Sequence, residues 1–276
     1  MSAVIVRLKP GSLALIGDER ARASASPAMH DAIFGAGSYT TIVDDDADVC
    51  FQRAEGGLRG VNVTAPHKIR AAARYRDVAD DAARRTGAVN TVIYGDDGHA
   101  VLASNTDVVG VREAWRRAAV PIAERDVAVI GSGGAARAVV VAARDAGARR
   151  VIIHARDRGR GAALVALAAS VGIDAALGDL EGPASVVVNA ASDLDDVGGW
   201  LGRAARPASV VHDLRYGPPA RTVRDAALRA GHLFLDGTTM LLAQGLEAAR
   251  LFGGTDLTDA QRDAARRAMV GALAGR

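Results

Sequence analysis

The 276-residue sequence has little of several features that mark particular protein classes. Its single cysteine, Cys50, excludes an intrachain disulfide and a cysteine-rich zinc site, which fits a reducing compartment. No apolar run approaches the roughly 20 residues that a membrane span needs. The opening MSAVIVRLKP also lacks the charged start and long apolar stretch of a secretion signal. We therefore expect a cytoplasmic protein with no membrane partner.

The chain also carries little net charge. The formal net charge of +2 is too small to indicate a nucleic-acid partner. Arginine pairs such as Arg84-Arg85 and Arg149-Arg150 lie among alanines and aspartates, as on solvated helix faces. With 49% hydrophobic residues the chain can bury large cores, and its length favours two domains.

Lysine is nearly absent. Lys9 and Lys68 stand against 32 arginines, and Lys68 lies in the segment GVNVTAPHKI. A lysine can release its proton, whereas an arginine keeps it under protein conditions. Lys68 is therefore a candidate for proton transfer, although with two lysines to place its position alone does not decide this.

The pattern of apolar runs predicts an α/β fold. In the first third, strands are predicted at SLALIG, YTTIV and GVNVT, with a helix at PAMHDAIFGAG. Two further strand-like runs flank GDDG, which predicts a hairpin. The strand pattern restarts at Asp126 after a helix that ends before Pro121, so a domain boundary is expected near residues 106 to 122. Two helical stretches follow the last predicted strand, in HLFLDG.

One segment of the second half has the pattern of a dinucleotide site. An apolar strand leads into a glycine-rich loop, and a helix rich in alanine and valine follows, with Gly147 as its expected end. The loop consists of Gly131, Ser132, Gly133, Gly134, Ala135 and Ala136. Gly131 allows a tight turn, Gly133 lets the backbone approach a pyrophosphate, and Ala136 allows close helix packing. With a second strand in RRVIIHA, the segment predicts a Rossmann-type domain, and a purely structural turn is the alternative.

The residues after that second strand bear on the choice of dinucleotide. NAD sites usually have an acidic residue there, whereas Arg156, Arg158 and Arg160 follow this strand within five residues. Three arginines suit a 2′-phosphate, which they can bind through charge-assisted hydrogen bonds. Asp157 would suit NAD instead. We favour NADP, because the Asp157 side chain can turn outward and pair with Arg158 or Arg160.

Polar residues of the first half fall at the ends of apolar runs. They are Ser24, Ser26, Asn62, Thr64, Lys68, Asn90, Thr91, Asn105, Thr106 and Asp107. Each one alone could cap a helix or close a turn. Together they indicate a ligand site, because ligands of α/β sheets bind at the carboxyl ends of strands. Their hydroxyls and amides suit a small, hydroxylated, anionic molecule, and Lys68 with Asp107 would supply a proton-transfer pair.

Seven motifs in one order resemble the shikimate dehydrogenase family over nearly the whole chain. They are SASPAMH, GVNVTAPHK, GAVNTV, NTD, GSGGAARAV, VVVNAAS and DGTTMLLAQGLEAA. The resemblance implies a substrate-binding catalytic domain at 1–107, an NADP-binding Rossmann domain at 108–237, and C-terminal helices at 238–276 that pack back on the substrate domain. It also implies reversible hydride transfer at the 3-position of 3-dehydroshikimate, which gives shikimate.

The same resemblance implies roles for individual residues. The substrate carboxylate would be held by Ser24, Ser26 and Tyr216. The substrate ring and its hydroxyls would be bound by Thr64, Asn90 and Gln244. The catalytic pair would be Lys68 and Asp107. The 2′-phosphate of NADP would be bound by Arg156 and Arg160, with NAD as the other possible cofactor.

A few positions depart from the family pattern and keep alternatives open. The departures are Asp18 and Glu19 near a position that is commonly proline, Val108 for glycine, Ala155 for asparagine, and Ala191 with Asp193 in a motif that contains threonine. Extra acids beside a carboxylate-binding loop would disfavour an anionic substrate or favour an amino-substituted one, unless they are solvated loop charges. A paralogue acting on quinate, an aminoshikimate or another cyclic polyol acid is thus one alternative, and a non-catalytic NADP-binding sensor is another.

The aromatic content of 4% argues against a folate-type dehydrogenase. A monomer and a homodimer are both compatible with the sequence.

Overall fold

The protein divides into two compact units. Unit 1 consists of Met1–Thr106 with Leu242–Arg276, and unit 2 consists of Asp107–Leu241. The predicted boundaries, at 107/108 and 237/238, differ from this division by one and four residues. The functions expected of the three segments stay predictions.

The computed structural model describes residues 12–178, 184–192, 199–201 and 205–275, so that Lys9 and Asp193 lie outside the described residues. The strands are β1 (Leu13–Gly17), β2 (Tyr39–Val43), β3 (Gly60–Val63), β4 (Thr91–Tyr94), β5 (Ala100–Ser104), β6 (Asp126–Ile130), β7 (Arg150–His154), β8 (Asp174–Leu177), β9 (Ala184–Asn189), β10 (Ala205–Asp213) and β11 (Leu233–Leu235). The helices are α1 (Ser26–Phe34), α2 (Ala47–Ala54), α3 (Lys68–Arg74), α4 (Asp81–Thr86), α5 (Asp107–Arg117), α6 (Gly134–Asp145), α7 (Arg158–Ser170), α8 (Pro218–Arg229), α9 (Thr238–Gly253) and α10 (Asp259–Ala274). None of these described helices is both long and apolar enough to cross a membrane.

Short polar residues and glycines set the ends of several helices. Asp80 and Asp157 directly precede α4 and α7, and each side chain accepts a hydrogen bond from a backbone N–H group of the first turn. Thr258 and Gln261 form a reciprocal capping box at the start of α10. Beyond the end of α6, Gly147 adopts a φ of 76°, which agrees with the helix end expected there.

Unit 1 is built on a five-stranded sheet in the order β2-β1-β3-β4-β5. β1 pairs in parallel with β2 and β3, whereas β4 is antiparallel to both β3 and β5. The predicted hairpin joins β4 to β5, and the Gly98 N–H donates to the Gly95 carbonyl over 3.0 Å. This arrangement brings the carboxyl ends of β1, β3 and β5 and the amino end of β4 to one edge of the sheet.

Unit 2 is built on six parallel strands in the order β11-β10-β9-β6-β7-β8. The chain runs outward from β6 to β8 and then returns to β9 on the other side of β6. The strand order therefore reverses between β6 and β9, and sheets of this kind bind ligands outside the carboxyl ends of the strands at such a point. The predicted α/β class, with a Rossmann-type second sheet, is confirmed.

Candidate active site

A buried polar cluster lies at the shared edge of the unit 1 sheet. Asn90 is 2% exposed. Its Nδ2 donates to Thr106 Oγ1 over 2.9 Å, and its Oδ1 accepts a hydrogen bond from the Thr106 backbone N–H over 2.8 Å. Oε1 of Gln244, on α9, lies 3.4 Å from both Asn90 Nδ2 and Thr106 Oγ1. The fold thus brings together two predicted ring-binding residues that are 154 positions apart.

A second row of hydrogen bonds fixes this cluster from the interior of unit 1. Asn62 Nδ2 donates to Thr91 Oγ1 over 3.0 Å and to the Asn90 carbonyl over 3.2 Å. The Tyr39 hydroxyl donates to Asn62 Oδ1 over 2.7 Å, and burial raises the pKa of Tyr39 well above its usual value. Because this buried network is satisfied by specific partners, it holds the Asn90 amide in one orientation.

The two serines predicted to bind a carboxylate contact each other. Ser24 Oγ lies 3.1 Å from Ser26 Oγ and accepts the Ser26 backbone N–H over the same distance. Ser26 begins α1, and its carbonyl accepts a hydrogen bond from His30 Nδ1 over 2.9 Å. Burial lowers the pKa of His30 to about 4, so its imidazole is neutral at pH 7. The sequence signal for this support is the single histidine of the helix SPAMHDAIF.

Thr64 and Lys68 follow β3 at the same edge of the sheet. The Thr64 N–H donates to the Ile16 carbonyl over 2.8 Å. Lys68 is half-buried at the start of α3, and its carbonyl accepts the Val89 N–H over 2.9 Å. Its neighbour His67 is buried, with Nε2 2.8 Å from the Asp44 carbonyl. Backbone bonds and the His67 side chain therefore fix the start of α3, which carries the lysine.

The extra acids near the serine loop are each paired with an arginine. Asp18 accepts hydrogen bonds from Arg20 Nε over 2.9 Å and from Arg20 Nη2 over 2.6 Å, and these bonds lower the pKa of Asp18. Glu19 lies 2.7 Å from Arg22 Nε. The two acids thus add no net negative charge to the loop, which removes the physical reason for expecting them to repel an anionic substrate.

The glycine-rich loop of unit 2 lies where β6 meets the start of α6. Gly131 has a φ of 110°, and an added Cβ there would lie 3.0 Å from the backbone of Ala190 and Ala191. Apart from its two chain neighbours, no residue in the described part of the chain has an atom within 4 Å of the position that a Cβ of Gly133 would take, so the loop backbone is open to a ligand there. Ala136 is fully buried in the core of unit 2. The remaining loop residues, Ser132, Gly134 and Ala135, are half-buried.

Asp157, the acidic residue after β7, has a hydrogen-bond partner and an ion-pair partner. Asp157 Oδ1 accepts the Arg160 backbone N–H over 3.0 Å, and Oδ2 lies 3.5 Å from Arg160 Nε. Asp157 therefore caps α7 and pairs with Arg160, one of the two arginines that the sequence offered as its partner. Arg156, Arg158 and Arg160 are exposed at the carboxyl end of β7, which leaves an arginine-rich surface where a 2′-phosphate is expected.

Four other residues of interest belong to unit 2. Asp107 is buried and begins α5, and the departing residue Val108 is buried in the core of the unit. Tyr216 is half-buried and follows β10 by three residues. Ala191 donates its backbone N–H to Asn189 Oδ1 over 3.1 Å.

Comparison with known proteins gives a consistent result. Residues 15–92 match the model of the shikimate dehydrogenase substrate binding domain. The shikimate dehydrogenase (NADP(+)) of Halobacterium salinarum is 38% identical over 262 residues, which cover 90% of this chain and 95% of that protein.

Solved structures agree with the sequence match. Shikimate 5-dehydrogenase from Thermus thermophilus, in complex with NADP(H) and shikimate, is similar with a TM-score of 0.74 and 32% identity over 93% of this chain and 98% of that chain. Quinate dehydrogenase from Corynebacterium glutamicum, in complex with NAD, is similar with a TM-score of 0.78 and 27% identity over 96% and 99%. The motifs, the two sheets and a relative that matches most of the sequence all lead to one assignment: the chain belongs to the shikimate dehydrogenase family.

Proposed function

We propose that this chain catalyses the reversible, NADP-dependent reduction of 3-dehydroshikimate to shikimate. The observation that carries the proposal is the fixed polar cluster of Asn90, Thr106 and Gln244 in the unit that contains the family match at residues 15–92. Amide and hydroxyl groups held in one orientation suit the hydroxyl groups of a small ring. Thr64, Asn90 and Gln244 bind the ring in this proposal, and Thr106 supports them.

The substrate carboxylate is bound by hydroxyl groups. Ser24 and Ser26 are 3.1 Å apart at their Oγ atoms, and two adjacent hydroxyls can donate to the two oxygens of one carboxylate. Tyr216 adds a phenolic donor. The pairing of Asp18 with Arg20 supports an anionic substrate, because it offsets the charge of one of the two added acids.

Lys68 and Asp107 carry out proton transfer. When the carbinol carbon loses hydride, its hydroxyl group must also lose a proton, and in the reverse direction the alkoxide must gain one. Lys68 takes and returns this proton. Asp107 is the second member of this proposed proton-transfer pair.

The residues of unit 2 fit the cofactor. The open backbone at Gly133 and the N-terminal N–H groups of α6 suit a pyrophosphate, which the loop from Gly131 to Ala136 receives. Arg156 and Arg160 bind the 2′-phosphate, and Asp157 is held at the start of α7, where its Oδ1 accepts the Arg160 backbone N–H. NADP supplies the hydride acceptor in one direction and the hydride donor in the other.

A second candidate is oxidation of quinate with NAD. The similarity to the Corynebacterium glutamicum quinate dehydrogenase favours it, since that protein was solved with NAD. The three exposed arginines after β7 favour NADP instead. An aminoshikimate substrate and a non-catalytic NADP sensor are further alternatives for the same experiment.

Initial rates measured with shikimate, quinate and an aminoshikimate, each with NADP and with NAD, test the proposal. We expect the highest kcat/KM for shikimate with NADP. The Lys68→Ala variant serves as the matched control, because it should bind NADP and show almost no turnover. Faster turnover of quinate with NAD would contradict the proposal in favour of the paralogue. Binding of NADP with no turnover of any substrate would favour the sensor.

We also propose that the enzyme is cytoplasmic and acts as a monomer or a homodimer. The single cysteine, which is buried as a free thiol, supports a reducing compartment. Light scattering of the purified protein distinguishes the two oligomeric states.

A further inference from the structure

An ion pair between Asp213 and Arg215 lies at the carboxyl end of β10 in unit 2. Asp213 is fully buried, and its carboxylate accepts hydrogen bonds from Arg215 Nε over 3.0 Å, from Arg215 Nη2 over 2.8 Å and from the Arg215 backbone N–H over 3.0 Å. A carboxylate removed from water needs such compensation, because an unpaired buried charge is strongly destabilising. Arg215 therefore fixes the position of Asp213.

Asp213 in turn fixes the end of the neighbouring strand. Asn189, at the end of β9, is fully buried and donates from Nδ2 to Asp213 Oδ1 over 2.9 Å. The other end of the same amide, Oδ1, accepts the Ala191 backbone N–H over 3.1 Å. The three side chains thus form a chain of hydrogen bonds from Arg215 to the turn after β9.

That turn forms one wall of the crevice between β6 and β9. The peptide between Ala190 and Ala191 lies so close to Gly131 that a Cβ there would be 3.0 Å from it. The Ala190 N–H also donates to the Ile130 carbonyl over 2.8 Å, so the turn is bonded directly to the end of β6. Any shift of the peptide would therefore narrow or open the crevice beside the glycine-rich loop.

We propose that Arg215 is a positioning residue that acts through Asp213 and Asn189 to hold this wall for the nicotinamide half of the dinucleotide. The proposal rests on the cofactor assignment above. The 2′-phosphate belongs to the adenosine half and is assigned to Arg156 and Arg160 after β7, and the pyrophosphate is assigned to the loop after β6. Because β9 and β10 lie on the opposite side of β6 from β7, the remaining half of the dinucleotide extends toward β9 and β10.

Binding of two ligands separates this role from a general structural one. NADP contains both halves, whereas adenosine 2′,5′-bisphosphate contains only the half assigned to the arginines and the loop. For Arg215→Met we expect the Kd of NADP to rise about tenfold or more and that of adenosine 2′,5′-bisphosphate to change less than about twofold. Arg215→Lys, which keeps the charge but loses the forked geometry, should give a smaller rise for NADP of about threefold. It provides the same comparison if Arg215→Met does not fold.

The matched control is Arg224→Met, which removes an exposed arginine that pairs with Asp225 on α8. It should leave both Kd values unchanged. Equal losses for the two ligands in the Arg215 variants, or no loss for NADP, would overturn the positioning role while leaving the cofactor assignment intact. If the wild-type protein binds neither ligand, the cofactor assignment fails and this proposal fails with it.

Discussion

The imidazole of His212 meets the indole of Trp115 edge to face inside unit 2, with ring centroids 6.5 Å apart and planes inclined by 67°. Within the described part of the chain, neither nitrogen of His212 nor Nε1 of Trp115 has a hydrogen-bond partner. Burial lowers the pKa of His212 to about 3, so the ring is neutral at pH 7. Two aromatic side chains thus contribute packing while leaving polar atoms unsatisfied.

This arrangement predicts a loss of stability in mild acid. Below pH 6.5 the unfolded chain binds a proton at His212 that the folded chain does not bind until the pH approaches 3, so stability falls as pH falls through this window. At pH 5 the cost is about 2 kcal/mol. His212→Phe should remove that cost, which urea unfolding at pH 7.5 and pH 5 measures.

A second buried histidine contributes to the same pH dependence of stability, and a control variant is needed. His30 keeps its own part of the pH dependence in the variant, because burial lowers its pKa to about 4. Ser170→Ala, which removes an exposed hydroxyl of α7, provides the control and should retain the full wild-type difference between the two pH values. An unchanged pH dependence in His212→Phe would show that His212 does not couple folding to protonation.

Lys68→Ala should lower kcat by roughly 10² to 10⁴ with little change in the KM of the substrate, as expected for loss of a positioned acid or base. Lys68→Arg should fail nearly as badly, because it keeps the charge and approximate reach but cannot release a proton. Steady-state kinetics measure both effects. If Lys68→Arg kept more than about a tenth of the wild-type kcat, the lysine would be an electrostatic anchor instead.

Arg156→Ala should weaken NADP binding roughly 10- to 150-fold, since it removes one charge-assisted contact to a phosphate. NAD binding should change little. Arg229→Ala is the control, because Arg229 ends α8 ahead of β11 and is exposed at the amino edge of the sheet. Fluorescence titration with each dinucleotide gives the affinities, and an equal loss for both would show that Arg156 does not bind the 2′-phosphate.

Replacing Ser24 and Ser26 together with alanine should raise the KM of the substrate at least tenfold and leave the KM of NADP nearly unchanged, because the two hydroxyls are assigned to the substrate carboxylate. The exposed Ser170 of α7 provides the control through Ser170→Ala. The measurement is a pair of saturation curves for each variant. A substrate KM that stays at the wild-type value would exclude the serines from carboxylate binding.

The sequence predicts the segments whose signal is local. β1 is an apolar run, the hairpin has turn residues in GDDG, and the glycine-rich loop lies between a strand and a helix, so each was identifiable from neighbouring residues. The helices α2 and α4 were not among the predicted segments. They are eight and six residues long and mix charged with apolar residues, so their periodic signal is weak.

The long-range contacts in the candidate site could not be predicted from the sequence. The contact of Asn90 with Gln244 depends on the return of α9 to unit 1. The partner of Asp157 could be narrowed to two arginines, but the choice of Arg160 depends on the geometry at the start of α7. The support of Asn189 by Asp213 and Arg215 joins two strand ends, and each residue alone would be read as an ordinary turn residue.

The packing of α10 on α1 has a consequence for synthesis of the protein on the ribosome. Unit 1 begins with the first strands but is completed by the last helix, and Met29, Ile33 and Phe34 of α1 are buried in the finished fold. At translation rates of about 5 to 20 residues per second, roughly 10 to 50 s separate the synthesis of α1 from that of α10. During that interval the nascent chain carries an unfinished apolar face, so we expect a premature stop within α9 or α10 to leave α1 uncovered and to promote aggregation.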